Sequence, residues 1–190
     1  MKQPKLILLG GANGSGKTTL ARELVAVESL RYLGADEIAY ELNPVSPSSV
    51  AIAAARQFSQ RLEAAIADHE SLIVEATLSG KSLLNPLAQA RQQGYEINVA
   101  FVFLDSPEVC LARIAARVAR GGHDVPEEDV RRRFTRANQN FWRLYRQAAD
   151  RWFLYYNATD LYEAIAIGDQ AGEAIFNEDR FTQWLTILNQ

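Results

Sequence analysis

The chain has one cysteine, two histidines, six prolines and no long hydrophobic run. A lone cysteine, Cys110, excludes an intrachain disulfide and fits a reducing compartment. Beside His69 and His123 there is no cysteine or carboxylate pattern of metal-ligand spacing, so a histidine-based metal centre is not expected. Eleven glycines and six prolines are too few for a collagen-like or linker composition. Nothing approaches the ~20 consecutive apolar residues of a membrane span. The apolar run Leu6–Leu9 is too short for the core of a signal peptide. These absences lead to the expectation of a cytoplasmic protein with no membrane association.

With 190 residues, 48% of them hydrophobic and 23% charged, the composition is that of an ordinary globular chain. The length suits one domain over 1–190, with room for a small lid. A net charge of -3 hides an asymmetry: ten arginines lie between Arg113 and Arg151, against five acids in the same stretch. Such a cluster serves a solvated helix face, a nucleic-acid patch or a site for a phosphorylated small molecule.

Short apolar runs alternate with helical patterns. Strands are expected at Leu6–Leu9, Arg31–Gly34, Leu72–Glu75, Ile97–Leu104 and Trp152–Asn157. Helices are expected from Lys17 to Ser29, from a Ser48 or Ser49 cap to His69, from Ser79 to Gln93 across Pro86, and from Glu108 to Ala119. Two more are expected from Glu127 to Ala149 and from Glu178 to Leu188, with a hairpin between Leu161 and Phe176. The alternation specifies an α/β fold: a five-stranded parallel sheet with helices on both faces and ligands at the strand carboxyl ends.

Gly11-Ala12-Asn13-Gly14-Ser15-Gly16-Lys17-Thr18 satisfies G-x-x-x-x-G-K-[ST] directly after a buried strand and at the start of a helix, and Thr19 follows. Its glycines let backbone N–H groups surround phosphate oxygens, Lys17 reaches the β- and γ-phosphates, and Thr18 offers a hydroxyl to Mg²⁺. ATP or GTP is the expected ligand. The guanine-reading segment of GTPases has no counterpart, because Asn157-Ala-Thr-Asp160 lacks the lysine. Neither Glu75 nor Asp105 belongs to an Asp-Glu pair of the hydrolytic type. A phosphotransferase remains, which must position a hydroxyl, exclude water and neutralise developing charge.

Asp36 follows the second strand and suits a general base for that hydroxyl, or an N-cap for a Glu37–Leu42 helix. Glu75 leaves a buried strand at its carboxyl end, a costly position unless it serves a substrate or a magnesium shell. Thr77, Ser79 and Lys81 lie nearby. Arg113, Arg117 and Arg120 have the spacing of one helix face, and Arg132, Arg133 and Arg136 follow a Gly121-Gly122-His123 hinge. Together they describe a lid over polyphosphate. Arg143, Arg146 and Arg151 are assigned to structure. The interleaved Trp142, Tyr145, Trp152, Tyr155 and Tyr156 fit core packing better than base stacking, so nucleic acid is not an expected partner.

The order of the phosphate loop, Ala35-Asp36-Glu37-Ile38-Ala39, Glu75-Ala76-Thr77-Leu78-Ser79-Gly80 and Arg113-x-x-x-Arg117 followed by Gly121-Gly122-His123-x-Val125-Pro126 and Arg132-Arg133 resembles the zeta toxin family of P-loop kinases. The resemblance runs from about Lys5 to Trp142. It implies an ATP- and Mg²⁺-dependent kinase acting on the 3′-hydroxyl of the sugar in UDP-N-acetylglucosamine. By the same resemblance Asp36 is the catalytic base, Lys17 the phosphate-binding lysine and Glu75 a substrate-site residue. Arg117 with Arg120 or Arg133 forms the charge-neutralising lid. Gly34 stands where many relatives carry Asn, and Ala76 where Thr is common. An antitoxin partner belongs to characterised toxins and does not follow from this sequence. The alternatives left open are a nucleoside or polynucleotide 5′-hydroxyl kinase and a non-catalytic ATP-dependent regulatory protein.

Overall fold

The computed structural model describes residues 3–158 and 161–189; Thr159 and Asp160 of the segment compared with GTPases lie outside it. Strand β1 (Lys5–Gly10) leads through the phosphate loop into α1 (Lys17–Glu28). Ser29 closes α1 in the left-handed conformation and returns its N–H to Val25 O. Next come β2 (Arg31–Gly34), α2 (Ala35–Leu42), a 3₁₀ turn at Pro47–Val50 and α3 (Ala51–Ala67). Strand β3 (Leu72–Glu75), α4 (Leu84–Gln92), β4 (Glu96–Phe103), α5 (Pro107–Val118) and α6 (Glu127–Asn140) follow. After one π turn at Phe141–Tyr145 the chain forms β5 (Arg151–Asn157), β6 (Tyr162–Asp169), β7 (Glu173–Ile175) and α7 (Glu178–Leu188).

The sheet order is β2-β3-β1-β4-β5-β6-β7. The first five strands are parallel to one another; β6 runs antiparallel to them, and β7, antiparallel to β6, returns to their direction. The sheet therefore has seven strands and not five, because the expected hairpin pairs with β5 instead of standing apart. From β1 the chain crosses to β2 and β3 on one side and to β4 on the other. This places the reversal of strand order, where open α/β sheets bind ligands, at the carboxyl end of β1.

Alternation within the strands divides the interior. Leu8, Val74, Phe101 and Phe103 face the layer built by α3 to α7, while Leu9, Ile73, Ala100 and Val102 face Leu20 and Ala21 of α1. The large layer holds the aromatic cluster. Trp142 and Trp184 meet edge to face at 5.0 Å, Phe101 and Phe141 stack at 4.6 Å, and Trp184 Nε1 donates to Asn138 Oδ1 at 2.8 Å. Arg146 lies 3.4 Å over the Trp142 ring and reaches Glu173, a structural assignment as expected.

Several helix ends differ from expectation. α4 begins at Leu84 and not at Ser79, which puts Pro86 in the first turn where its missing N–H breaks no helical bond. Neither Ser48 nor Ser49 caps α3; Val50 does so without a side-chain bond, after the 3₁₀ turn. α6 stops at Asn140, well short of Ala149, because the π turn turns Phe141 and Tyr145 together into the core. Among the described residues no helix is long and apolar enough to cross a membrane.

Candidate active site

The phosphate loop is shaped by close approach. Gly11 (φ 146°) passes so near the β4 backbone that a Cβ would collide with Val102 O. Ser15 N–H donates to Ala12 O at 3.2 Å, and Lys17 Nζ folds back onto the same carbonyl at 2.9 Å. Asn13, Ser15 and Lys17 are buried; Thr18 and Thr19 are exposed at the start of α1, the Thr19 N–H bonding to Gly16 O.

Burial pushes the Lys17 ammonium below the ordinary lysine value of 10.5, while the nearby carboxylates of Glu75 and Asp36 oppose that shift. Lys17 Nζ lies 4.0 Å from Glu75 Oε1. Glu75 ends β3 beside the end of β1, the pairing that aims its carboxylate at the loop. Its oxygens are divided: the Thr18 hydroxyl donates to Oε1 at 3.1 Å and the Tyr32 hydroxyl to Oε2 at 2.6 Å. Burial, then the Glu75 charge, raises the Tyr32 phenol, so it stays protonated as a donor.

Asp36 is not an N-cap. α2 begins at Ala35 with Gly34 as its cap residue and no side-chain cap bond, which leaves the exposed Asp36 carboxylate in the first turn. A cavity of about 420 Å³ is lined by Asn13, Lys17, Asp36, Glu75, Thr77 and Arg133, among others. With Ser79 and Arg132, eight of the residues singled out from the sequence thus share one space. A second cavity, of about 560 Å³, runs between α1 and α2 and is lined by Thr18, Arg22, Tyr32, Asp36 and Tyr40. Asp36 and Tyr32 stand where the two meet. Thr77 Oγ1 and Ser79 Oγ are 2.9 Å apart on the wall of the first cavity.

The arginines separate. Arg133 reaches the loop, with NH1 3.3 Å from Asn13 Oδ1, while NH2 pairs with Asp129 at 3.2 Å. Arg132 also lines the first cavity and pairs with Asp129. Arg117 instead donates to His123 O at 2.6 Å, holding the Gly121-Gly122 loop, although its charge still depresses Lys17. Arg120 does not share the helix face of Arg113 and Arg117: α5 ends at Val118, and among the described residues the exposed Arg120 guanidinium makes no hydrogen bond or ion pair. Arg113 turns to the end of β5, donating to Asn157 O at 2.8 Å and Ala158 O at 2.7 Å. Cys110 is fully buried, and burial pushes its thiol up to about 12, which removes it as a nucleophile.

Three contributors were not singled out as site residues in the sequence. Tyr32 lies on a weakly patterned strand. Asn157 was noticed only as a failed guanine reader, yet its Nδ2 donates to Ser15 O at 2.9 Å. Tyr162 donates to Gly16 O at 2.7 Å. A polar residue ending an otherwise buried strand was the available signal for Asn157.

The family model described as AAA domain (AAA_33) matches residues 6–141. An uncharacterized protein of Haemophilus influenzae is 35% identical over 133 residues, covering 70% of this chain and 94% of that protein. The solved AvrRxo1-ORF1:ORF2 complex matches with a TM-score of 0.76 at 17% identity, over 98% of this chain and 64% of that one. The chain thus spans just under two thirds of that neighbour. The same complex with ATP gives a TM-score of 0.74. The structure from the PezAT chromosomal toxin–antitoxin system of Streptococcus pneumoniae matches at 0.67 and 19% identity, over 100% of this chain and 87% of that one. Shikimate kinase from Acinetobacter baumannii, bound to shikimate, matches at 0.51 and 20% identity, over 84% and 86%. With its phosphate loop, Asp36, Glu75 and Arg133 all inside the matched span, the chain belongs to the AAA domain family AAA_33 and has the fold of a P-loop kinase.

Proposed function

We propose that this protein is an ATP-dependent phosphotransferase that moves the γ-phosphoryl group to a hydroxyl of a small acceptor. The observation that carries the reading is the shared cavity: Lys17 and Asn13 of the phosphate loop and the Asp36 carboxylate line the same space. In the proposed reaction the acceptor oxygen bonds to the γ-phosphorus, the bond to the β–γ bridging oxygen breaks, ADP leaves and the hydroxyl proton passes to Asp36. Lys17 and Arg133 offset charge on the phosphoryl oxygens, and Arg117 joins them by leaving the His123 carbonyl. The hydroxyls of Thr77 and Ser79 face the acceptor.

A divalent ion fits the donors present. The Thr18 hydroxyl and the Glu75 carboxylate are hard oxygen ligands 3.1 Å apart at the loop. Mg²⁺ is bound by one or two such groups together with phosphate oxygens and water. Thr18 and Glu75 would hold it, and once bound it would neutralise charge on the β- and γ-phosphates.

UDP-N-acetylglucosamine is the leading acceptor, from the family resemblance in Ala35–Ala39, Glu75–Gly80 and Gly121–Pro126. We further propose an antitoxin-like protein partner and a cytoplasmic location. The experiment is labelling from [γ-³²P]ATP across sugar nucleotides, nucleosides and 5′-hydroxyl oligonucleotides, with Asp36→Asn alongside. Labelling of a sugar nucleotide that disappears in the variant, with ATP still bound, supports the reading. Labelling of the oligonucleotide alone favours the end-kinase reading. ATP binding with no labelled acceptor, unchanged by the variant, favours a regulatory protein.

A further inference from the structure

The β5–β6 hairpin, which lies beyond the span matched by the family model, grips the phosphate loop at two consecutive carbonyls. Asn157 ends β5, Tyr162 begins β6, and the two are register partners across the hairpin mouth. Asn157 is fully buried, its Nδ2 donating to Ser15 O at 2.9 Å; the Tyr162 hydroxyl donates to Gly16 O at 2.7 Å. Gly16 has φ 98°, and a Cβ there would collide with Asn157 Nδ2. The hairpin therefore demands glycine at this position as much as the turn does. Arg113 secures the mouth from α5 through its bonds to Asn157 O and Ala158 O.

Peptide geometry converts these contacts into a statement about amides. In a planar trans peptide the C=O and the following N–H point in opposite directions. With the Ser15 and Gly16 carbonyls held on the hairpin side, the N–H groups of Gly16 and Lys17 point away from it. Among the described residues, the N–H groups of Gly16, Lys17 and Thr18 donate to no protein acceptor, whereas those of Ser15, Thr19 and Leu20 bond to Ala12 O and Gly16 O. Ser15 Oγ and Asn157 Oδ1, at the same junction, are buried without partners among the described residues. Unsatisfied polar atoms in a packed junction mark a geometry kept for something other than stability.

We propose that Asn157 and Tyr162 are positioning residues of the nucleotide site, holding two loop carbonyls so that the Gly16 and Lys17 amides are already aimed as phosphate donors before a ligand arrives. Affinity rises because the peptides need no reorientation on binding. The inference rests on the phosphate-binding part of the reading above and not on the acceptor.

The test uses inorganic tripolyphosphate as probe, with Tyr162→Phe and Asn157→Leu, each removing a donor without adding charge. Loss of one net hydrogen bond corresponds to about fivefold in the dissociation constant. Calorimetric titration should show binding weakened about fivefold by Tyr162→Phe and tenfold or more by Asn157→Leu. The Gly16 and Lys17 amide resonances should shift less on adding tripolyphosphate. A merely structural role would lower Tm and leave affinity well below Tm unchanged, and that result overturns the proposal. Should Asn157→Leu not fold, Tyr162→Phe decides, since the half-buried ring remains. Weakened tripolyphosphate binding in the variants upholds the proposal even if no acceptor is ever labelled. Parent-like binding in Tyr162→Phe overturns it even if one is, and a parent that binds neither ATP nor tripolyphosphate overturns both readings.

Discussion

Thr18 and Glu75 join the first turn of α1 to the end of β3 through a hydrogen bond of 3.1 Å, with the Tyr32 hydroxyl on the other carboxylate oxygen. Two strands that pair in parallel thereby bring a hydroxyl and a carboxylate, 57 residues apart, to one point on the phosphate loop. Glu75→Gln keeps the shape and removes the charge. Phosphoryl transfer is expected to fall about 100-fold or more, on the scale of losing one electrostatic group at a reacting centre. ATP binding should also lose its dependence on Mg²⁺, measured by titration with and without the ion; an unchanged dependence would remove Glu75 from the metal site.

Asp36 is exposed in the first turn of α2 and borders both large cavities. Asp36→Asn is expected to lower kcat about 10²–10⁴-fold, the contribution typical of a positioned base. The ATP dissociation constant should stay within about twofold, since no bond from Asp36 holds the loop. Single-turnover rates with the labelled acceptor measure the first quantity and calorimetry the second.

The buried Lys17 gives a pH dependence of known sign. Its folded value lies below 10.5, chiefly from burial, so the ammonium loses its proton in the folded chain before it would in the unfolded one. ATP affinity should therefore decline with rising pH at values where an ordinary lysine is still charged. Stability of the ligand-free protein moves the other way. The unfolded chain binds more protons between the folded value and 10.5, so the penalty of burying the charge is full below that window and is relieved as pH rises through it. In Lys17→Met both trends at Lys17 should vanish, read from ATP titrations and thermal melts between pH 7 and 10.5.

Arg133 and Arg120, both expected from the sequence to belong to a lid, provide a contrast. Arg133 touches Asn13 in the loop; Arg120 is exposed and unengaged among the described residues. Arg133→Ala is expected to lower kcat/KM for ATP at least tenfold and Arg120→Ala less than twofold, in the same steady-state assay. Equal effects would place the lid contact elsewhere.

Trp184 is fully buried against Trp142, Phe141 and Phe103, with its indole N–H on Asn138. Trp184→Ala should destabilise the fold by about 3–5 kcal/mol, the usual cost of truncating a large buried aromatic. Chemical denaturation measures it. Trp184→Phe should recover most of the packing but leave the Asn138 oxygen without its donor.

Much of this architecture was legible locally. Strands β1, β3 and β4 lie where short apolar runs end at Gly, Glu or Asp, β5 ends its run at Asn157, the weakly patterned β2 still falls at its expected place, and α7 matches its expected limits. The loop motif announced itself because its glycines answer to backbone geometry within eight residues. Helix ends were less legible. Pro86 marks the first turn of α4 and not an interruption, and the π turn after Asn140 depends on where Phe141 and Tyr145 find space in the core. Asp36 read equally well as a cap or a base until Gly34 was seen to hold the cap position.

The order of residue types along the chain was enough for the phosphate loop, the parallel sheet and the list of charged groups near it, since each depends on neighbours in sequence. Tertiary structure alone sorted the arginines: Arg133 to the loop, Arg117 to the His123 carbonyl, Arg113 to the end of β5 and Arg120 to solvent. It also joined the β5–β6 hairpin to Ser15 and Gly16 across more than 140 residues. Spacing on a helix says which side chains share a face, but which carbonyl or loop that face meets depends on how distant strands pair, and no local pattern carries that information.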